Sequence, residues 1–167
     1  MDAGHRAIAG KYLSFTLGFQ SFAIEISKVR EIIRLTEITH VPRMPRYISG
    51  IISLRGRCIP VLDLRIKFAL PVERPSYLSS IMVLQISSPS QAIARVGLVV
   101  DAIEEVLAIS KAEIGTARGE DDFIDSDYLV AITTKNGNLK LLLDIDRLVE
   151  RDFLLLRNLN TVTQPSL

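Results

Sequence analysis

The chain has 167 residues, a hydrophobic fraction of 48% and a formal net charge of +1. This size and apolar content suffice for the core of one ordinary domain or two very small ones, and a nearly neutral chain lacks the basic field that wholesale nucleic-acid binding requires. The single cysteine, Cys58, excludes an internal disulfide, and residues 1–15 lack a signal-peptide pattern, so a cytosolic protein is predicted.

The N-terminal part predicts two strands and then a short helix. Apolar and polar residues alternate over residues 12–17 and 22–26, with a turn between them. Ser27 is expected to cap a helix over residues 28–33, because its hydroxyl can accept a hydrogen bond from a free N–H of the first turn. Glu31 then points away from the apolar face of that helix.

Residues 50–68, GIISLRGRCIPVLDLRIKF, predict a β-hairpin with an arginine at its tip. Two apolar runs, residues 47–54 and 58–64, flank the turn at Arg55 and Gly56, and the glycine supplies a turn conformation that a Cβ would strain. A rigid β platform with a guanidinium at its end is typical of a protein that docks others.

Three more strands are predicted over residues 80–86, 92–100 and 103–109. The first two lie around residues 77–94, a segment without charge, but serines, glutamines and a proline interrupt its apolar run. A membrane helix needs about 20 mostly apolar residues, so we predict a strand, a turn and a strand instead of a membrane span.

The C-terminal part predicts a hairpin and a helix. Residues 129–134 and 139–145 flank Asn136-Gly137, a strong two-residue hairpin signal because both residues tolerate positive φ. Apolar residues at helical spacing follow over residues 146–159, and Asp144 or Asp146 is expected to cap that helix. The many short strands, with turn signals about every 8 to 12 residues, predict β-barrels or a β-sandwich.

Charge is unevenly distributed. Residues 28–74 contain ten Lys or Arg, whereas residues 101–127 contain nine Asp or Glu. Two solvated faces of opposite sign are the favoured interpretation, and two docking surfaces or a head-to-tail contact between copies are the alternative. The acids at 121, 122, 125 and 127 lack the order of a calcium-binding loop, so a solvated loop over residues 111–127 is favoured there over a cation site.

No segment supplies a catalytic set. Neither His5 nor His40 forms a recognisable signature with Cys58, and the spacing supports no metal site or phosphate-binding loop. Cys58 is expected to be a small buried hydrophobe. Six Phe, four Tyr and no Trp leave few platforms for stacking bases. We therefore predict no enzymatic activity, no cofactor, no metal and no nucleic-acid partner.

At the hairpin the chain resembles a known family. VPRMPRYISGIISLRGRCIPVLDLRIKF, residues 41–68, resembles the signature stretch of the CheW family of bacterial chemotaxis coupling proteins. LSFTLGFQSFAIEISKVREII at residues 13–33 and GLVVDAIEEVL at residues 97–107 resemble its opening strands and a later element, in the same order. The resemblance covers residues 11–157.

The resemblance implies a mainly β fold of two intertwined five-stranded SH3-like β-barrels, with short helices and a C-terminal helix. It implies a single domain over residues 11–157 made of two barrel subdomains, with flexible tails over residues 1–10 and 160–167. The implied function is that of a non-enzymatic adaptor in the cytoplasm, at membrane-associated receptor arrays and without membrane insertion. Its implied partners are the cytoplasmic tip of a methyl-accepting chemoreceptor, the regulatory domain of a CheA-type histidine kinase and other CheW-like copies.

Site residues also follow from the resemblance. Arg55 matches the arginine associated with receptor coupling, and Glu31 matches the acid beside it, from which we expect an ion pair that orients the guanidinium. The other matching positions are the glycines Gly50 and Gly56 and the positions linked to kinase or receptor contact, Val29, Ile81, Gly97 and Val106.

Ser53 and Ala69 depart from the family pattern, which usually has asparagine and glycine there, and Ser53 could alter receptor preference through the hydrogen bonding of the turn. Three alternatives stay open: a CheW-like adaptor for surface sensing or twitching motility, a nucleic-acid-binding barrel, and an enzyme that uses Cys58.

Overall fold

The computed structural model describes residues 9–116 and 128–162. These residues form eleven strands, which are β1 (Gly10–Leu17), β2 (Gln20–Glu25), β3 (Val29–Arg34), β4 (Ile48–Leu54), β5 (Arg57–Leu62), β6 (Ser80–Ser87), β7 (Ile93–Val100), β8 (Ala102–Ile109), β9 (Gly115–Thr116), β10 (Leu129–Lys135) and β11 (Asn138–Leu143). Three short α-helices accompany them: α1 (Leu64–Lys67), α2 (Ile145–Leu148) and α3 (Phe153–Asn160).

The strands form two sheets: one takes strands from both ends of the chain, and the other takes the five consecutive strands β3 to β7. Barrel 1 has the order β8-β1-β2-β11-β10-β9, in which β9 has only two residues, and barrel 2 has the order β3-β6-β7-β5-β4. The chain passes from barrel 1 to barrel 2 between β2 and β3, and it returns between β7 and β8. A mainly β fold of two intertwined five-stranded units, as the resemblance implied, is thus confirmed.

The two barrels repeat one plan. Each contains one parallel pair, β11 with β2 in barrel 1 and β5 with β7 in barrel 2, while the other strand pairs are antiparallel. The hairpins β4–β5 and β10–β11 have the same alternation of buried and exposed residues in their first strand. Each hairpin also has a bulge near its start and an aspartate-capped four-residue helix after its end.

Three apolar clusters form the core. The largest joins the two barrels and includes Phe15 and Leu143 from barrel 1 and Leu84 and Leu98 from barrel 2. A second cluster of six buried side chains lies on the other face of the barrel 1 strands, and a third lies at the corresponding place in barrel 2. Burial of each Leu or Phe contributes about 1.5–3 kcal/mol, so the shared cluster strongly favours association of the two barrels.

The helix predicted over residues 28–33 is wrong. A 3-10 turn covers Ile26–Lys28, its N-cap is Glu25, and Ser27 caps nothing. The residues that follow form β3, which pairs with β6 and alternates between half-buried and exposed positions. The apolar pattern fits both periods over six residues, and β-branched valine and isoleucine favour the strand.

The C-terminal helix is present but broken. Asp144 caps α2 by accepting a hydrogen bond from the amide of Arg147 at 3.2 Å, whereas Asp146 lies inside that helix. A 3-10 turn at Glu150–Asp152 then separates α2 from α3. Gly10 is the first residue of β1 and Asn160 is the last residue of α3; the rest of both predicted tails lies outside the described residues.

Candidate functional site

The tip of the β4–β5 hairpin has a tight two-residue turn. Arg55 and Gly56 both have positive φ, 52° and 77°, which matches the right-handed twist of the flanking strands. A Cβ at Gly56 would meet no atom within 4 Å, so the glycine is required for its backbone conformation and not for space. Arg55 adopts the same left-handed region at a cost of about 1–2 kcal/mol.

Glu31 reaches this tip from β3. Its Oε1 lies 2.7 Å from Nη1 of Arg55, which confirms the expected ion pair between residues 24 positions apart. The Arg55 side chain is 75% exposed and that of Glu31 is 21% exposed, so the pair contributes only about 0–1 kcal/mol to stability. The pair fixes the direction of the guanidinium and leaves most of its surface accessible.

Gly50 supports the hairpin from inside. Its φ is +149°, and a Cβ there would lie 2.1 Å from the carbonyl oxygen of Thr39. The segment after β3 pairs with β4 at this point in an antiparallel bridge, in which Thr39 and Ile51 exchange two backbone hydrogen bonds of 2.8 and 2.9 Å. The buried Gly50 therefore allows two backbones to approach closely, and it does not present a surface to a partner.

The four remaining predicted positions separate into two groups. Val29 is half-buried against the shared core, and Val106 on β8 is 52% exposed, so both retain surface that a partner can reach. Ile81 and Gly97 are buried, so neither presents a surface to a partner in this structure, and their role at an interface stays a prediction. A Cβ at Gly97 would lie 2.8 Å from Cγ2 of Ile81, so these two residues form a packing pair between neighbouring strands.

The described residues contain no metal site and no membrane-spanning helix. Cys58 is a buried free thiol on β5, as expected. In residues 9–116 and 128–162 no group of three His, Cys, Asp or Glu side chains is placed to hold a metal ion. No helix of this part has the length and apolar character to cross a membrane. The acids at 121, 122, 125 and 127 lie outside the described residues.

An ion pair between a buried lysine and a partly exposed glutamate in barrel 1 escaped the sequence analysis. Nζ of Lys140 lies 2.9 Å from Oε2 of Glu104, and the lysine side chain is only 2% exposed. Burial alone would raise the pKa of Glu104, but hydrogen bonds from Ser21, Lys140 and Ser14 and the lysine charge outweigh it and lower that pKa. Strand alternation could have indicated the buried lysine, because it puts Lys140 on the same inward face of β11 as Leu142.

Comparison with known proteins supports the same architecture. The profile of the CheW-like domain matches residues 11–153. The chain belongs to the CheW family. It is 30% identical to the chemotaxis protein CheW of Klebsiella aerogenes, over 87% of this chain and 84% of that protein, and 29% identical to that of Rhizobium meliloti, over 86% and 90%.

A solved CheW structure extends this result to three dimensions. The scaffolding protein TtCheW from Thermoanaerobacter tengcongensis superposes with a TM-score of 0.70 at 28% identity, over 82% of this chain and 90% of that one. Membership in the CheW family places the chain among chemotaxis coupling and scaffold proteins. The hairpin tip, Glu31 and Val106 all lie within the CheW-like domain.

Proposed function

We propose that this chain is a non-enzymatic coupling protein that joins the cytoplasmic tip of a methyl-accepting chemoreceptor to the regulatory domain of a CheA-type histidine kinase. The observation that carries the proposal is the exposed Arg55 guanidinium, held by Glu31 at the end of a rigid hairpin. A planar guanidinium held in one direction can bind a carboxylate or backbone carbonyls of a partner with defined geometry.

Separate surfaces for two partners support a bridging role. The Arg55–Glu31 pair lies on barrel 2, whereas the exposed Val106 lies on β8 of barrel 1. Contacts of modest size on each barrel gain strength when several partners are linked in one assembly. We assign the protein to the cytoplasm at membrane-associated receptor arrays, with other CheW-like copies as further partners and with no nucleic acid, cofactor or membrane insertion.

Reconstitution with receptor tips and kinase tests the proposal. The wild-type chain is expected to join the complex and to raise kinase autophosphorylation in a receptor-dependent way. Arg55→Ala is expected to weaken this control by about tenfold, as loss of a charge-assisted contact of roughly 1.5 kcal/mol predicts, while the melting temperature stays within about 2 °C of the wild-type value.

Arg57→Ala is the matched control, because Arg57 is exposed on the same hairpin but Glu31 pairs with Arg55. Equal losses of receptor-dependent kinase control in the two variants would show that the hairpin contributes only positive charge and that the direction of the Arg55 guanidinium has no role. Unfolding of Arg55→Ala would make the arginine structural, and absence of the wild-type chain from the complex would overturn the coupling role. A set of receptor tips from a surface-sensing or twitching pathway, used in parallel, distinguishes the adaptor alternatives.

A further inference from the structure

Both crossovers between the barrels end at a charged residue. Lys28 immediately precedes β3 and Asp101 immediately precedes β8. Each pairs with the second residue of a short capped helix: Asp101 Oδ1 lies 2.7 Å from Nη1 of Arg65 on α1, and Nζ of Lys28 bonds Oδ2 of Asp146 on α2. The two ion pairs thus occupy equivalent places in the repeated plan, with opposite polarity.

The carboxylate of each pair also holds a backbone amide of a neighbouring turn. The amide of Gly18, between β1 and β2, donates to Oδ2 of Asp101 at 2.7 Å. The amide of Ser87, at the end of β6, donates to Oδ1 of Asp146 at 2.8 Å. We name Arg65, Asp101 and Gly18 clasp 1, and Lys28, Asp146 and Ser87 clasp 2. Each clasp ties a helix, a crossover and a turn together.

The two clasps differ in strength. In clasp 1, Asp63 also bonds the Arg65 guanidinium, at 2.8 and 2.9 Å, and the arginine side chain is only 9% exposed. Hydrogen bonding to Asp63 raises the pKa of Arg65 and outweighs burial, which would lower it. In clasp 2 a single lysine meets a single aspartate, and both side chains are 25% exposed. Clasp 2 is therefore the looser of the two.

Clasp 2 lies at the start of the strand that carries Glu31, one member of the Glu31–Arg55 pair. Lys28 fixes the start of β3, and Glu31 follows three residues later on the same strand. Asp146 belongs to α2, which follows β11 of barrel 1. We propose that Lys28 and Asp146 are positioning residues for the Glu31–Arg55 pair, through which the packing of barrel 1 sets the direction of the guanidinium on barrel 2. This inference rests on the proposed coupling function.

Two single variants and a control test the anchoring. Asp146→Asn keeps an acceptor for the Ser87 amide but removes the charge, and Lys28→Met removes the other partner. In both we expect amide hydrogen exchange of β3 to rise about tenfold while exchange of β8, which clasp 1 holds, stays at the wild-type rate. Glu150→Gln, an exposed carboxylate after α2, serves as the control and should change neither strand.

The functional arm measures receptor control of the kinase in the reconstituted complex. Both single variants should lose receptor dependence by about threefold to tenfold while their affinity for the kinase alone is kept, because one outward contact is misdirected but the fold is intact. The reversed pair Lys28→Asp with Asp146→Arg rebuilds the ion pair with the polarity of clasp 1, but an arginine cannot accept the hydrogen bond of the Ser87 amide. It should therefore slow β3 exchange and improve coupling relative to both single variants, without full return to the wild-type values.

Three results would overturn the inference. Wild-type exchange of β3 in both single variants would show that clasp 2 anchors nothing. Faster β3 exchange with unchanged receptor control would show that the clasp is structural only. Failure of the reversed pair to slow β3 exchange would remove the equivalence of the two clasps. If the wild-type chain itself does not couple receptor to kinase, the proposed function fails, and the exchange arm still decides the anchoring.

Discussion

Asn136 and Arg55 occupy equivalent turn positions in the two hairpins. Their φ angles are 53° and 52°, and each precedes a glycine, with φ of 78° at Gly137 and 77° at Gly56. The two turns thus have the same backbone conformation, but the β4–β5 turn carries a guanidinium and the β10–β11 turn carries a short amide. The proposed docking feature of barrel 2 is therefore the Arg55 side chain, because the two turns have the same backbone conformation.

The two glycines of the β4–β5 hairpin, Gly50 and Gly56, are expected to differ in their contribution to stability. Gly50→Ala is expected to cost about 3 kcal/mol or more, because the new Cβ would lie 2.1 Å from a backbone carbonyl oxygen that cannot move without breaking the Thr39–Ile51 contact. Gly56→Ala meets no atom and should cost only about 1 kcal/mol of left-handed strain. Urea unfolding of the two variants measures the difference.

Gly137→Ala is the matched control for Gly56, since its φ is +78° and its Cβ would also meet open space. We expect equal losses of stability at these two positions. A Gly50→Ala variant as stable as Gly56→Ala would show that the segment at Thr39 is free to shift. In that case Gly50 would not hold the hairpin in place.

Local patterns predicted most of the strands. The two hairpins were found from their turn residues and alternating runs, because a period of two and a positive-φ pair are both local properties. The apolar pattern predicts a helix over residues 28–33, because six residues cannot separate a period of 2 from a period of 3.6. These residues form a strand because they pair with β6, whose residues lie 46 to 55 positions further along the chain (Arg34 with Ser80, Val29 with Leu84).

The site was less accessible to sequence reasoning than the fold. The Arg55–Glu31 pair was expected only from the resemblance, because closure of barrel 2 brings together residues that no local pattern connects. The resemblance alone also places Ile81 and Gly97 at an interface, whereas both residues are buried in the structure. The pairs of the two clasps and of Lys140 with Glu104 join distant strands and helices, so chain topology must be known before they can be identified.

The Lys140–Glu104 pair in barrel 1 should respond asymmetrically to mutation, because only the lysine is buried. Glu104→Gln leaves the Lys140 ammonium without a counter-charge at a position that is 2% exposed, so we expect a loss of about 3 kcal/mol. Lys140→Met leaves Glu104 partly exposed and still bonded to Ser14 and Ser21, so a loss of about 1 kcal/mol or less is expected. Chemical unfolding of both variants compares them directly, and the reverse order would contradict this account of the pair.

Stability should fall in acid partly through Glu104. Its pKa is lower in the folded protein than its ordinary value of 4.5, so the stabilisation from its ionised form is fully present above pH 4.5. That stabilisation is lost as the pH falls below 4.5 through the folded pKa. Glu104→Gln has no such group, and its unfolding free energy should therefore depend less on pH than that of the wild type as the pH falls below 4.5. Parallel pH profiles for the two proteins would show that Glu104 does not titrate differently on folding.

The last prediction concerns the link between α3 and barrel 2. The side chain of Asn160 accepts from the amide of Arg95 at 2.8 Å and donates to the carbonyl oxygens of Arg95 and Cys58 at 2.9 and 3.1 Å. It thereby joins β7 to β5 beyond the short stretch where these parallel strands pair directly. Asn160→Ala should cost about 1–3 kcal/mol, because three backbone groups lose their side-chain partner.

The thiol of Cys58 reports on this change without a label. It is buried in the wild type, and its own carbonyl group accepts one of the Asn160 hydrogen bonds. We expect alkylation of Cys58 under native conditions to become about tenfold faster in Asn160→Ala, because opening of α3 away from β5 exposes the strand. Asn158→Ala, on an exposed position of the same helix, is the control and should react at the wild-type rate. Equal rates in the two variants would mean that packing of the helix, and not Asn160, closes this end of barrel 2.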